Sequence, residues 1–114
     1  MKFYTKRYNG IGTPLSLAGI LSDGGLPASG PRKLTFIIPA SHSLTIKQVG
    51  AQGWNITGDD ITIDNGGGGT SLMYSFDVYT ADEGQPNVTG ANPSWKQLQL
   101  TVPLTQFIYI LASY

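Results

Sequence analysis

The residue types able to do chemistry are few in this chain, and their spacing does not gather them. His42 is the sole histidine and cysteine is absent, so no thiolate can serve as nucleophile or metal ligand and no disulfide can form. His42 stands between Ser41 and Ser43 in a turn, but acyl transfer also needs an activated nucleophile and a third group to orient the base, and nothing in the sequence argues for either. Asp59 and Asp60 are adjacent, so in an extended segment their carboxylates diverge to opposite faces and cannot work as a hydrolytic pair. The expectation is a protein that is not an enzyme and carries no cofactor.

Oxygen ligands are better grouped. Asp59, Asp60, Asp64 and Asn65 surround two turns, and Asp82 and Glu83 open a long loop further on. A hard cation such as Ca²⁺ takes ligands of this kind from neighbouring loops, and Asp59, Asp60, Asp64 and Glu83 would be the set. The spacing is not that of an EF-hand, however, and acidic turn residues ordinarily shape and solubilise turns, so the expectation is no bound metal. Trp54, Trp95 and Tyr79, interspersed with Asn and Asp, offer an alternative chemistry: aromatic platforms on which a sugar could stack, as in a carbohydrate-binding, lectin-like module assisted by calcium.

The N-terminal segment Lys2-Phe-Tyr-Thr-Lys-Arg-Tyr8 interleaves cations with aromatics. Such a pattern could neutralise phosphates and stack bases, but the formal net charge is zero, which argues against nucleic acid as a partner. An edge strand guarded by lysine accounts for the same residues, and so does a strand that docks on another subunit. The core sets of the chain lie in other strands, so loss of this segment is expected to spare the fold and abolish assembly.

These residues must be positioned by strands. Leu72, Tyr74, Phe76 and Val78 alternate with Met73, Ser75, Asp77 and Tyr79, the period-2 signature of a half-buried strand. Before them, Ile61–Asp64 and the run Asn65 to Gly69 read as a second strand and a glycine turn, hence a β-hairpin. The other expected strands are Lys2–Tyr8, Pro14–Leu21, Lys33–Pro39, Ser43–Val49, Trp54–Thr57, Thr70–Thr80, Lys96–Val102 and Thr105–Ser113, separated by Gly/Pro/Asn breakers. Leu34, Phe36 and Ile38 form one inward set, and Leu44 and Ile46 another. The last run, Phe107-Ile-Tyr-Ile-Leu-Ala112, is apolar on both faces and must lie centrally or be covered by a partner. No helical stripe is evident, and residues 1–114 read as one all-β antiparallel sandwich or barrel of about eight strands.

Charge is scarce, 12% of residues against about 25% in ordinary domains, and it is segregated. Residues 1–58 hold Lys2, Lys6, Arg7, Arg32, Lys33 and Lys47 against Asp23 alone, whereas residues 59–114 hold Asp59, Asp60, Asp64, Asp77, Asp82 and Glu83 against Lys96 alone. Internal neutralisation is one consequence; the sharper one is a basic and an acidic edge that favour head-to-tail contacts between copies. No apolar run approaches the roughly 20 residues of a membrane helix, and the charged N-terminus lacks the apolar stretch of a secretory signal.

The second half carries a resemblance. Ile61-Thr-Ile-Asp-Asn65, an alternating strand, Gly84-Gln85, an extended loop, then Trp95-Lys-Gln-Leu-Gln-Leu-Thr-Val-Pro103 and an apolar terminal strand resemble the C-terminal part of small phage virion proteins. The likeness is to the single-jelly-roll penton proteins at the vertices of tailless, membrane-containing phages, and it spans about residues 61 to 111. It implies a jelly-roll-like sandwich made in the host cytoplasm and built into a virion, a homo-oligomer, pentameric if a penton, that contacts other capsid proteins. The side chains expected to make assembly contacts are Lys2, Tyr4, Lys6, Arg7, Tyr8, Phe107, Tyr109 and Tyr114.

Overall fold

Among the described residues, eight strands pair as one long antiparallel ribbon folded on itself. The computed structural model describes residues 2–22, 30–48, 60–66, 69–78 and 94–114. Its strands are β1 (Phe3–Asn9), β2 (Leu15–Ser16), β3 (Lys33–Ile38), β4 (Ser43–Gln48), β5 (Ile61–Asp64), β6 (Leu72–Asp77), β7 (Leu98–Thr101) and β8 (Phe107–Ser113). Strand β1 pairs with β8, β2 with β7, β3 with β6 and β4 with β5. The ribbon is then rolled so that β8 meets β3 and β7 meets β4. Two four-stranded sheets result, of order β1-β8-β3-β6 and β2-β7-β4-β5, the jelly-roll form of the β-sandwich.

The core follows from strand parity. Leu34, Phe36 and Ile38 on β3, Leu44 and Ile46 on β4, Leu98 and Leu100 on β7, and Ile108 and Ile110 on β8 are all fully buried, each set spaced by two residues as a pleat requires. Tyr74 and Phe76 of β6 pack partly buried against them, with the Phe36 and Phe76 rings 5.8 Å apart. The doubly apolar β8 lies between β1 and β3, where its position demands it.

Several elements differ from expectation, each for a physical reason. The stretch expected as strand Pro14–Leu21 is extended only at Leu15–Ser16 and then turns into the short helix α1 (Leu17–Ile20). Ser16 caps it, its Oγ accepting from the Gly19 N–H at 3.1 Å, and Leu17, Ile20 and Leu21 enter the core together because i, i+3 and i+4 share a helical face. Trp95–Gln97 form a 3₁₀ turn capped by Ser94 before β7 begins. The glycine run does not close a hairpin: β5 belongs to one sheet and β6 to the other. Nor does the N-terminal strand stand apart from the core. All seven residues of β1 are in register with β8, and Tyr8 is in the core, 6% exposed. The expected strand Trp54–Thr57 lies outside the described residues.

Four sheet-crossing connections meet at one end of the sandwich. Asn65, 6% exposed, ties two of them. Its Nδ2 donates to the carbonyls of Ile38 (2.9 Å) and Thr70 (2.8 Å), its N–H donates to the His42 carbonyl, and its own carbonyl accepts from the Ser41 N–H. Gln106 ties the others: its carbonyl accepts from the Gly10 N–H at 2.8 Å and its Oε1 from the Ser43 N–H at 2.9 Å. At Gly10 the backbones approach so closely that a Cβ would fall on the Pro103 carbonyl oxygen.

Two stability predictions follow from this end. Gly10→Ala must push the 103–106 turn away and is expected to cost about 3 kcal/mol, read as a fall of roughly 10 °C or more in Tm. Asn65→Ala leaves two carbonyls without their donor and should cost about 2–3 kcal/mol. Asn65→Asp should be worse at neutral pH, where a carboxylate would face carbonyl oxygens; that setting raises the folded-state pKa of the acid, so stability should recover as pH falls towards the unfolded value of about 4. Thermal melts of these variants across pH provide the check.

Candidate functional site

The two outer faces of the sandwich differ in kind. On the β4-containing sheet, the outward residues Ser43, Thr45, Lys47, Thr62, Asp64, Gln99 and Thr101 are all polar and lie in register with one another. On the β8-containing sheet, the outward residues of β8 are Phe107, Tyr109 and Leu111, half-buried between neighbours. In the rows across this sheet Tyr109 lies between Arg7 and Ile37, which is itself opposite Met73, and Leu111 lies between Thr5 and Thr35. The bottom row is Phe3, Ser113, Lys33 and Asp77. Phe3 is 74% exposed and Met73 68%, on the two opposite edge strands of a face that mixes these apolar side chains with Arg7, Thr5, Thr35, Ser75, Lys33 and Asp77.

Local contacts hold this face in shape. The Arg7 guanidinium carbon sits 3.9 Å above the centre of the Phe107 ring, and its Nε donates to Asn9 Oδ1 at 3.2 Å. Cation–π stacking of this kind contributes about 0.5–1 kcal/mol at an exposed site. Phe107 in turn meets the edge of Tyr109 (5.6 Å) and the imidazole of His42 (4.9 Å). His42 is anchored through Nδ1, 2.8 Å from the Ala40 carbonyl oxygen. The hydroxyls of Thr35 and Ser75 are bonded at 2.8 Å, and beside them a shallow groove of about 230 Å³ is lined by Phe3, Lys33, Thr35 and Leu111 with Ala112 and Ser113.

Of the expected contact residues, the fold brings together Arg7, Phe107 and Tyr109. Lys2 is exposed and Lys6 half-buried. Tyr4, Tyr8 and Tyr114 belong elsewhere: Tyr8 is in the core, and Tyr4 and Tyr114 pack partly buried against it, because residues two apart on β1 share a face and the even set is opposite inward-facing Ile108, Ile110 and Ala112. Trp95 is likewise no open platform. It is 7% exposed, and Gly30, at φ +74°, presses so close that a Cβ would fall on the indole. Trp54 and Tyr79 lie outside the described residues, as do Asp59 and Glu83. Asp60 and Asp64 are exposed, and among the described residues no cluster of three His, Asp or Glu side chains could hold a metal. Among the described residues no helix is long and apolar enough to cross a membrane.

Phe3, Ile37, Met73 and Leu111 complete the face but were not expected as contacts. Their parity was legible, since each alternates with residues that are buried in the core or packed against it; which strands stand side by side was not. Searches for similar proteins add nothing to this geometry: no family model, curated protein or solved structure matches the chain.

Burial pushes the hydroxyls of Tyr8, Tyr74 and Tyr114 above the ordinary tyrosine value of 10.0. The Tyr8 and Tyr114 hydroxyls are buried without a hydrogen-bond partner among the described residues. Below the unfolded value both states keep these protons, so stability is full there; as pH rises past it the unfolded chain loses protons first and stability falls through the folded-state values. Melting temperature should therefore hold level up to about pH 10 and drop above it. Tyr8→Phe removes a stranded polar group and should be neutral or stabilising by about 1 kcal/mol, with a shallower alkaline drop, as melts at pH 7 and pH 11 would register.

Proposed function

We propose that this chain is a non-enzymatic structural protein of a viral particle, a phage capsid vertex (penton) or decoration protein, acting by self-assembly and subunit docking. The observation that carries the reading is the contrast between the outer faces: one sheet wholly polar, the other bearing Phe3, Ile37, Met73, Phe107, Tyr109 and Leu111. A face like this gains by cover, since burying Phe3 and Met73 alone would contribute roughly 3–5 kcal/mol. The low charge of the chain reduces the desolvation that such cover costs. Two further features support it: the jelly-roll topology, which viral capsid domains share, and the likeness of residues 61–111 to penton proteins. On this reading the partners are other copies and other capsid proteins, with a ring of five favoured, and the place of action is the virion.

The purified chain should behave as a homo-oligomer in light scattering. Met73→Glu and Phe3→Glu, on the outer face, should leave Tm within a few degrees, because exposed substitutions usually change stability by no more than about 0.5 kcal/mol, yet should abolish particle incorporation. A chain that stays monomeric at high concentration and enters particles equally well with Met73→Glu would overturn the proposal.

A further inference from the structure

The roll places β1 and β2 along one lateral edge of the sandwich and β5 and β6 along the opposite one, and these edges carry opposite charge. The first edge presents Lys2 and Arg7, with Lys6 half-buried in the inward set of β1, and neither Phe3–Asn9 nor Leu15–Ser16 contains an acid. Opposite are Asp60, Asp64 and Asp77, and neither Ile61–Asp64 nor Leu72–Asp77 contains a cation, although Lys33 of the next strand inward is in register with Asp77. These three aspartates are all the acidic side chains among the described residues. Lys2, Arg7 and all three aspartates are exposed.

We infer that copies of this chain associate head to tail, the basic β1–β2 edge of one copy set against the acidic β5–β6 edge of the next. The inference rests on the assembly reading above and names its partner and surface. An isologous contact would bring cations to cations or acids to acids, which costs several kcal/mol where such charges are desolvated; a heterologous contact pairs them. Strand polarity allows the same placement. Directions alternate across both sheets, so a second copy set alongside puts its β1 antiparallel to β6 and its β2 antiparallel to β5, continuing the alternation. The receiving edge is also unguarded: Leu72–Asp77 holds neither lysine nor proline, the residues that ordinarily block strand edges, and it exposes Leu72 and Met73. Each exposed pair is worth at most about a fivefold gain in association, but several of one sign along an edge also steer and orient the encounter. A heterologous contact closes into a ring when its rotation permits.

The test is light scattering of the full chain and three variants in about 50 mM salt, where surface charge is least screened. Lys2→Glu/Arg7→Glu makes both edges acidic, and Asp64→Lys/Asp77→Lys makes both basic. Each should weaken self-association by about tenfold or more, while the quadruple variant, with the edges exchanged, should restore it. About 1 M salt should weaken the wild type and narrow the differences. Melting curves show whether each variant folds, and Lys2→Glu and Asp64→Lys singly repeat the comparison if a double variant does not. If the wild type assembles and every variant assembles equally well, the lateral contact is overturned while the assembly reading stands. A wild type that is monomeric and enters no particle overturns both.

Discussion

A jelly roll depends on what happens where the chain leaves one sheet for the other. Each crossing removes several N–H and C=O groups from a strand ladder, and buried backbone groups left unpaired cost as much as lost hydrogen bonds. In this protein β1–β2, β3–β4, β5–β6 and β7–β8 all cross at one end, and two amides bind them. Asn65 links the end of β3 to the passage that follows β5 through Ile38 and Thr70; Gln106 links the turn before β8 to the passages after β1 and before β4. Gly10 makes this possible by omitting a side chain where Pro103 passes. The sheets hold their register at that end because side-chain amides replace ladder partners the backbone cannot supply.

That constraint separates what the sequence disclosed from what it hid. Strand parity is a local property, so the inward sets on β3, β4, β7 and β8 and the central place of β8 could all be read directly. Pairing is not local. The glycine run after Asn65 has the composition of a hairpin turn, and composition cannot tell a turn that returns to its own sheet from one that enters the other. Asn65 in fact reaches across with its side chain, a role a solvent-facing turn residue would share by type. Leu17, Ile20 and Leu21 fit either an extended run or one helical turn, and the Ser16 cap decides it. Trp95 and Tyr8, expected at a surface from their chemistry, are buried by Gly30 and by the pairing of β1 with β8.

The candidate surface was legible in the same partial way. Tyr109 and Phe107 could be singled out because β8 alternates apolar with apolar. Ile37, Met73, Phe3 and Leu111 joined them only when β1, β8, β3 and β6 were placed side by side. The halves of the sequence with opposite charge likewise gained meaning from topology. Rolling the ribbon puts the first strand and the fifth and sixth at opposite edges, so Lys2 and Arg7 are kept apart from Asp60, Asp64 and Asp77, while Lys33 and Lys47 on the inner strands lie beside the acidic ones.

Strand β1 joins these themes. Its even residues face inward, Tyr8 within the core and Tyr4 against it, while its odd residues Phe3, Thr5 and Arg7 face outward beside Ser113, Leu111 and Tyr109. One seven-residue strand thus closes the core, completes the apolar face and carries the basic edge. Because β8 has β1 as its only neighbour on that side, a copy that lost β1 would expose the inner set Ile108, Ile110 and Ala112 along with the outer face. The surface proposed for assembly therefore exists only on a chain that has already folded, since the strand that builds the surface also seals the interior.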